Sequence, residues 1–378
     1  VKYNCLLDNP EGGILMKKMT IVVIAFLFFA PVLYAKIVKS AFLYNIRSQA
    51  MGGAGIAMPR GSFSYVYNPA ILAERKLNLS LTGLRVELSK GFFDVIDYMR
   101  DNSDNFKKLG KDSINVSVDE KSQIMHELRV DATTLDNIWF KPMLAPLVGA
   151  TIENFGVGMY NIARVGVKLD VGIIDPSIKA FAQNDLVLSF GYGQNVDENL
   201  AIGIGTKIIR RFESETIDIA IEKTEGMNAT IDTSFDQMKK GKTGFGIDIG
   251  AIYTLNEKMK LSAVAQDLFC RIGTDNPPLN LKFGMAYQYT KQLQIYADVV
   301  DLFNMNGEQF INKIHLGAEY RMPVLSFQAG FNRGYPTIGF GIDVWVLRFN
   351  YAYFTDELTG SPGQQPEYYH ILGLEVGW

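Results

Sequence analysis

The sequence predicts an all-β transmembrane barrel of about 14 antiparallel strands, with an N-terminal luminal plug and short helices in its outer loops. Three observations carry this. From about Leu77 onward the apolar residues recur at every second position, the period of a strand whose two faces meet different solvents. Short connections alternate with long ones, as in barrels that span a membrane. No Pro/Ser-rich linker or composition shift divides the chain after about residue 76, so its 378 residues read as one large repetitive domain.

Charge excludes one class of partner. The chain holds 37 Lys and Arg against 40 Asp and Glu, with no basic run or aromatic-basic stripe, so no nucleic acid is expected. One stretch, Met19 to Ala35, is apolar enough to cross a bilayer as a helix, and it directly follows Met16-Lys17-Lys18. Residues 16–35 therefore read as a cleavable signal peptide: a basic n-region, an apolar run from Ile21 to Phe29, Pro31, and the small Ala35 before the cut. Residues 1–15 are expected to be a misassigned start, because Glu11-Gly12-Gly13 is how a purine-rich ribosome-binding site reads in frame. Without them Cys270 is the one cysteine left, so neither an intramolecular disulfide nor a lipidated N-terminus is expected. Plug residues 36–76 and barrel residues 77–378 follow, and the expected location is the bacterial outer membrane.

The strand segments run near 77–90, 142–153, 155–169, 184–197, 198–220, 242–255, 258–269, 279–290, 291–302, 311–321, 323–332, 335–343, 345–354 and 366–378. Within one of them Leu281, Phe283, Met285 and Tyr287 alternate with Lys282, Gly284, Ala286 and Gln288. Glu153-Asn154, Asn256-Glu257-Lys258, Thr290-Lys291-Gln292 and Arg321-Met322-Pro323 read as tight turns; 91–141, 170–183, 221–241, 270–278, 303–310 and 355–365 read as long loops. A soluble sandwich would have to bury one apolar face of every strand in a core, which leaves too many faces for too few partners. Lipid outside and water inside accounts for them.

The opposite parity gives the lumen: Asp248, Lys313, His315, Glu319, Asp343 and Arg348, joined by Lys260, Gln266, Lys282, Gln288, Gln294, Asp298, Gln328, Asn332 and Asn350. A charge facing lipid near the midplane costs about 2–4 kcal/mol, so parity assigns these side chains inward. His315 is expected to share a luminal hydrogen-bond network with Glu319. The last segment places Tyr368, His370, Leu372, Leu374, Val376 and Trp378 on one face. With Gly373 sixth from the end, it resembles the signal read by the bacterial barrel-assembly machinery, although Ile371 stands where that pattern has a polar residue.

The plug segment holds the most specific local sequence, Arg47-Ser48-Gln49-Ala50-Met51-Gly52-Gly53-Ala54-Gly55-Ile56-Ala57 and then Ser64-Tyr65-Val66-Tyr67-Asn68-Pro69-Ala70. Gly52, Gly53 and Gly55 permit tight turns and close approach to a wall, and Asn68-Pro69-Ala70 starts a turn into a short helix. A phosphate-binding loop is excluded by the missing Lys-Ser/Thr and the missing βαβ context. This pattern resembles the superfamily of FadL, the long-chain fatty acid transporter, and more closely its plasmid-transfer TraF-like and PorV-like branch. His315-Leu316-Gly317-Ala318-Glu319-Tyr320, Gly330 to Pro336 and Tyr351-Ala352-Tyr353 fit the same branch. The resemblance implies a plugged, fourteen-stranded barrel and leaves the substrate open, since members differ in what they do.

No catalytic or metal-binding constellation is found. The three histidines, His126, His315 and His370, have no ligand spacing, and one cysteine cannot complete a zinc site. No cofactor is expected. In the first long loop Phe92, Phe93, Val95, Ile96 and Met99 mark an amphipathic helix, read either as packing on the barrel rim or as a hydrophobic lid. Ile231 to Met238 would complete such a cap. The leading function is passive passage of a hydrophobic, fatty-acid-like molecule, and the alternative is a non-conducting docking protein for secreted or transfer-system partners. Outer-membrane lipid and the barrel-assembly machinery are expected partners in either case.

Overall fold

The computed structural model describes residues 40–74, 77–109, 116–132, 139–140, 143–170, 177–214, 217–220, 240–357, 363–364 and 366–377. The expected signal peptide, residues 1–15, Trp378 and the stretch Ile231 to Met238 lie outside them. Fourteen antiparallel strands close into a barrel: β1 Leu77–Ser89, β2 Met143–Ile152, β3 Phe155–Asp170, β4 Ser177–Asn195, β5 Leu200–Glu213, β6 Lys242–Asn256, β7 Met259–Ile272, β8 Asn280–Gln288, β9 Leu293–Val299, β10 Ile314–Arg321, β11 Leu325–Asn332, β12 Tyr335–Val344, β13 Leu347–Glu357 and β14 Pro366–Gly377. Each pairs with its sequence neighbours, and β14 returns to β1, with Gly373 opposite Arg85 and Val376 opposite Thr82. Closure gives each of the fourteen wall strands a partner on both sides, the condition for putting backbone in lipid.

The expected segments match these strands, with two corrections in the first half. The long loop expected over 170–183 is cut back by β4, which begins at Ser177 and pairs along nearly its whole length with β3. The single strand expected over 198–220 is β5 followed by a separate piece, Ile217–Ala220, that continues the same antiparallel ladder along β4 to Ser177 after a one-residue shift. That piece and Trp139–Phe140, which pairs with β3, extend one rim and are not part of the closed wall. The alternation of short and long connections has one exception. Arg333-Gly334 joins β11 to β12 on the long-loop rim in two residues, both with positive φ (52° and 89°), the conformation a tight hairpin needs.

Parity holds along the wall. Leu186, Leu188, Phe190 and Tyr192 of β4 and Ile202, Ile204 and Ile208 of β5 are exposed on the outside, whereas Asp185, Val187, Ser189, Lys207, Ile209 and Arg211 between them are buried inside. On β14, Leu372 and Leu374 face out and Tyr369 and Ile371 face in. Among the described residues no helix is long and apolar enough to cross a membrane; the apolar surface is carried by strands. The first long loop folds into α1 Lys90–Asp101, α2 Ser103–Leu109 and α3 Val118–Ala132.

A Leu188→Lys substitution, on the outer wall, should lower the unfolding free energy in lipid vesicles by about 2–4 kcal/mol more than Leu188→Ala does. Denaturant titration checks this, and equal losses would mean that this face meets water.

Candidate functional site: the bore and its N-terminal segment

The bore is crossed by residues 40–74. A short helix, α4 (Ile46–Ala50), begins after Asn45, whose side chain accepts the amide of Arg47 as an N-cap. The glycine run follows, then α5 (Ser64–Tyr67) and a 3₁₀ turn, Pro69–Glu74. This segment reaches inward-facing groups almost all the way round. Tyr160 on β3 donates to the Ala41 carbonyl (3.0 Å), Tyr65 shares a hydrogen bond with Ser189 on β4 (2.7 Å), Ser62 donates to Glu375 on β14 (2.8 Å), and Thr337 on β12 donates to the Ala50 carbonyl (3.0 Å). Arg85 on β1 donates to the Tyr44 carbonyl and the Gln49 side chain.

The strongest tie is ionic. Arg47 meets Glu319 on β10 side-on, Nε to Oε1 at 2.6 Å and Nη2 to Oε2 at 2.7 Å, and also donates to the Tyr296 hydroxyl at 2.8 Å. Glu319 is 1% exposed and accepts further from Gln328 (3.2 Å) and Arg321 (3.0 Å). Burial works against a charged guanidinium, yet Tyr296 and Glu319 beside it hold the Arg47 pKa above the ordinary arginine value. Two parallel bonds of this kind fix direction as well as distance.

The glycine run is used twice over. Gly52, Gly53 and Gly55 all have positive φ (68°, 87° and 127°), which turns successive amides toward one side. The amides of Gly55 and Ile56 donate to Asp298 Oδ2 at 2.7 and 3.0 Å, and the Gly52 carbonyl bonds to His315 Nδ1 at 2.6 Å. His315 is thus engaged by the segment and not by Glu319, a correction to the expected pairing: the two sit four residues apart on β10, roughly 13 Å at about 3.3 Å per residue. Asn68-Pro69-Ala70 forms the second anchor. Asn68 accepts from the Ala70 amide (3.1 Å) and donates to the carbonyls of Ile56 (3.1 Å) and Ala251 (3.3 Å). Gly203 and Gly250 form the wall beneath, where any Cβ would collide with Pro69 and Asn68.

The remaining luminal candidates divide. Asp248 faces in, accepting from Lys207 (3.0 Å) and from the Asp267 amide (2.7 Å), and Arg348 pairs with Glu375 at 3.3 Å. Lys313 is not a strand residue; it ends a 3₁₀ turn at the long-loop rim and donates to the Asp301 carbonyl at 2.9 Å. Asp343 is exposed at the end of β12, beside the short turn to β13. Gly373 packs under Ile46. The inward surface is also less polar than parity predicts. Leu147, Tyr160, Val187, Ile209 and Ile272 are cross-strand neighbours on β2 to β7, linked through Gly244, and form an apolar inner band.

Of the lid residues, Phe93 lies against the outside of the rim. Phe93 and Ile96 are exposed, and Phe93 meets His370, an outward residue of β14, edge-on at 5.6 Å. Phe92 packs edge-on against Phe93 at 5.4 Å, and Val95 is half-buried. Arg47, Asp298 and Arg85 were not singled out in the sequence as anchors. A charged residue within a Gly-rich run, facing a carboxylate of matching parity, was the available signal.

No protein-family model and no curated protein matches the chain. Solved structures do. The toluene transporter TodX of Pseudomonas putida is similar over 90% of this chain and 99% of its own, at 11% identity and a TM-score of 0.51. The monoaromatic hydrocarbon channel CymD is similar over 89% and 98%, at 14% identity and a TM-score of 0.48. A Pseudomonas aeruginosa FadL homologue is similar over 91% and 99%, at 9% identity and a TM-score of 0.47. The likeness to TodX is one of fold.

An Arg47→Met variant leaves buried Glu319 with only the half-buried Arg321 and Gln328, which should cost the docked segment up to about 3–5 kcal/mol. Trypsin cleavage after Arg60 should then quicken, and Arg47→Met with Glu319→Leu should restore part of the resistance. Cleavage at the parental rate in the single variant would contradict this role.

Proposed function

We propose that this chain is an outer-membrane barrel for passive passage of hydrophobic small molecules, with residues 40–74 as the constriction they must pass. The observation that carries the reading is the apolar inner band of Leu147, Tyr160, Val187, Ile209 and Ile272. In a bore meant for ions or sugars, such side chains would forfeit hydration without return. For a molecule poor in hydrogen-bonding groups they are a path of low cost. The likeness in fold to a toluene transporter supports the same class. Aromatic hydrocarbons and fatty acids are the proposed substrates, and passage involves partial release of the segment from its anchors. Passage so proposed invokes no cofactor and no covalent step.

Uptake of labelled toluene and of a labelled fatty acid is to be measured in cells lacking their own transporter. The barrel should raise uptake of at least one, and Ile209→Asp, which puts a charge into the band, should reduce that gain by roughly tenfold at equal membrane level. A folded barrel that raises neither would overturn transport and leave the docking role for secreted or transfer-system partners.

A further inference from the structure

The outer wall carries a second feature, independent of the bore. Strand β7 contains two bulges opposite Phe245 to Ile249 of β6, with positive φ at Asp267 (62°) and Phe269 (55°). Such bulges bend a strand out of the regular curvature of its sheet. Beside them lies an apolar recess of about 440 Å³, lined by Ile202, Ile204, Ile249, Leu268, Leu281 and Phe303 among others. Ile204, Ile249, Ala265 and Leu281 are lateral neighbours on β5 to β8 and share the outward face, so the recess opens away from the bore.

Toward the long-loop rim the same outward columns end in arginine. Arg210 lies six residues beyond Ile204 on β5, and Arg271 stands opposite Phe245, four residues from Ile249 on β6. At about 3.3 Å per residue the two are roughly 20 Å and 13 Å from the recess along the strands. With strands tilted about 45° these lengths correspond to roughly 14 Å and 9 Å of height, within the ~15 Å depth of one hydrocarbon leaflet, and the long arginine side chains reach on toward the headgroups. Both arginines are exposed. Arg210 bonds to Thr243 (2.6 Å) and the Lys240 carbonyl (3.1 Å) and lies over the Phe212 ring at 5.5 Å; Arg271 bonds to the Gly273 carbonyl (2.9 Å). The nearby carboxylates Glu213 and Asp275 are both taken by Lys242, at 2.6 and 3.0 Å. Among the described residues neither arginine has an acidic partner.

We infer that this face is a specific binding site for a membrane lipid with a phosphate head: Arg210 and Arg271 hold the phosphate and the recess takes a hydrocarbon chain. Two guanidinium groups at headgroup depth, already oriented by neutral acceptors, match phosphate oxygens. The recess faces lipid and not water, so a chain of that lipid fills it.

Purified barrel in detergent is to be titrated with phosphatidylglycerol and with diacylglycerol of the same chains, and bound lipid read by native mass spectrometry. Phosphatidylglycerol should bind at about tenfold lower concentration than diacylglycerol. Arg210→Glu with Arg271→Glu should erase that preference, and Ala251→Trp, which fills the recess, should weaken both lipids while the preference stays. Equal binding of the two lipids by the parental barrel, or an unchanged preference in the double-arginine variant, would overturn the site. None of these readouts depends on whether the bore transports.

Discussion

A single buried ion pair organises the interior. Arg47 sits on a five-residue helix with little burial of its own, and Glu319 sits on one of the shortest strands of the wall. Neither element could place the other without the two-pronged bond between them. Once it forms, the glycine run is set against Asp298 and His315, and the chain leaves in the direction that carries Asn68 and Pro69 to β6. Its cost also matters. Two charges removed from water contribute little net stability, but losing Glu319 strands Arg47 and losing Arg47 leaves Glu319 to Arg321 and Gln328 alone, so the pair acts more as a specifier of position than as a reservoir of energy.

The two halves of the bore do different work. Over β8 to β12 the inner wall is polar and binds the segment through Asp298, His315, Glu319 and Thr337. Over β2 to β7 the buried charges pair within the wall, Asp185 with Arg211 and Lys207 with Asp248, and the segment lies on apolar and glycine positions through Phe63, Tyr65 and Leu72, with Glu74 to Lys260 as its ion pair at the short-turn rim. Polar anchors on one side and greasy contact on the other allow a hydrophobic molecule to compete for the second side while the first stays bound.

The barrel was legible because its cause is a solvent boundary that repeats every second residue: Ile202, Ile204 and Ile208 outside, Gly203, Lys207 and Ile209 inside. Strand ends were less legible. At the start of β4 the apolar alternation is broken by Ala180-Phe181-Ala182, although the backbone ladder with β3 runs on to Ser177. The glycine and Asn68-Pro69-Ala70 motifs were legible as close-approach sequences, but not their partners, because parity says which side chains face in and not which meet across a bore. The pairing of Arg47 with Glu319, the bond of His315 to Gly52 and the outward placement of Phe93 on His370 are all contacts between residues far apart in sequence. Parity likewise assigned polar residues inward without showing that Val187, Ile209 and Ile272 would line up across strands, since that depends on register.

Hydrogen exchange at the amides of Gly55 and Ile56, which donate to Asp298, tests the central claim most directly. If the ion pair holds the segment across the bore, both amides exchange at least about two orders of magnitude more slowly than in an unfolded peptide, and Glu319→Gln removes that protection while the strands keep theirs. Exchange at the unfolded rate in the parental protein, or protection that survives Glu319→Gln unchanged, would contradict it.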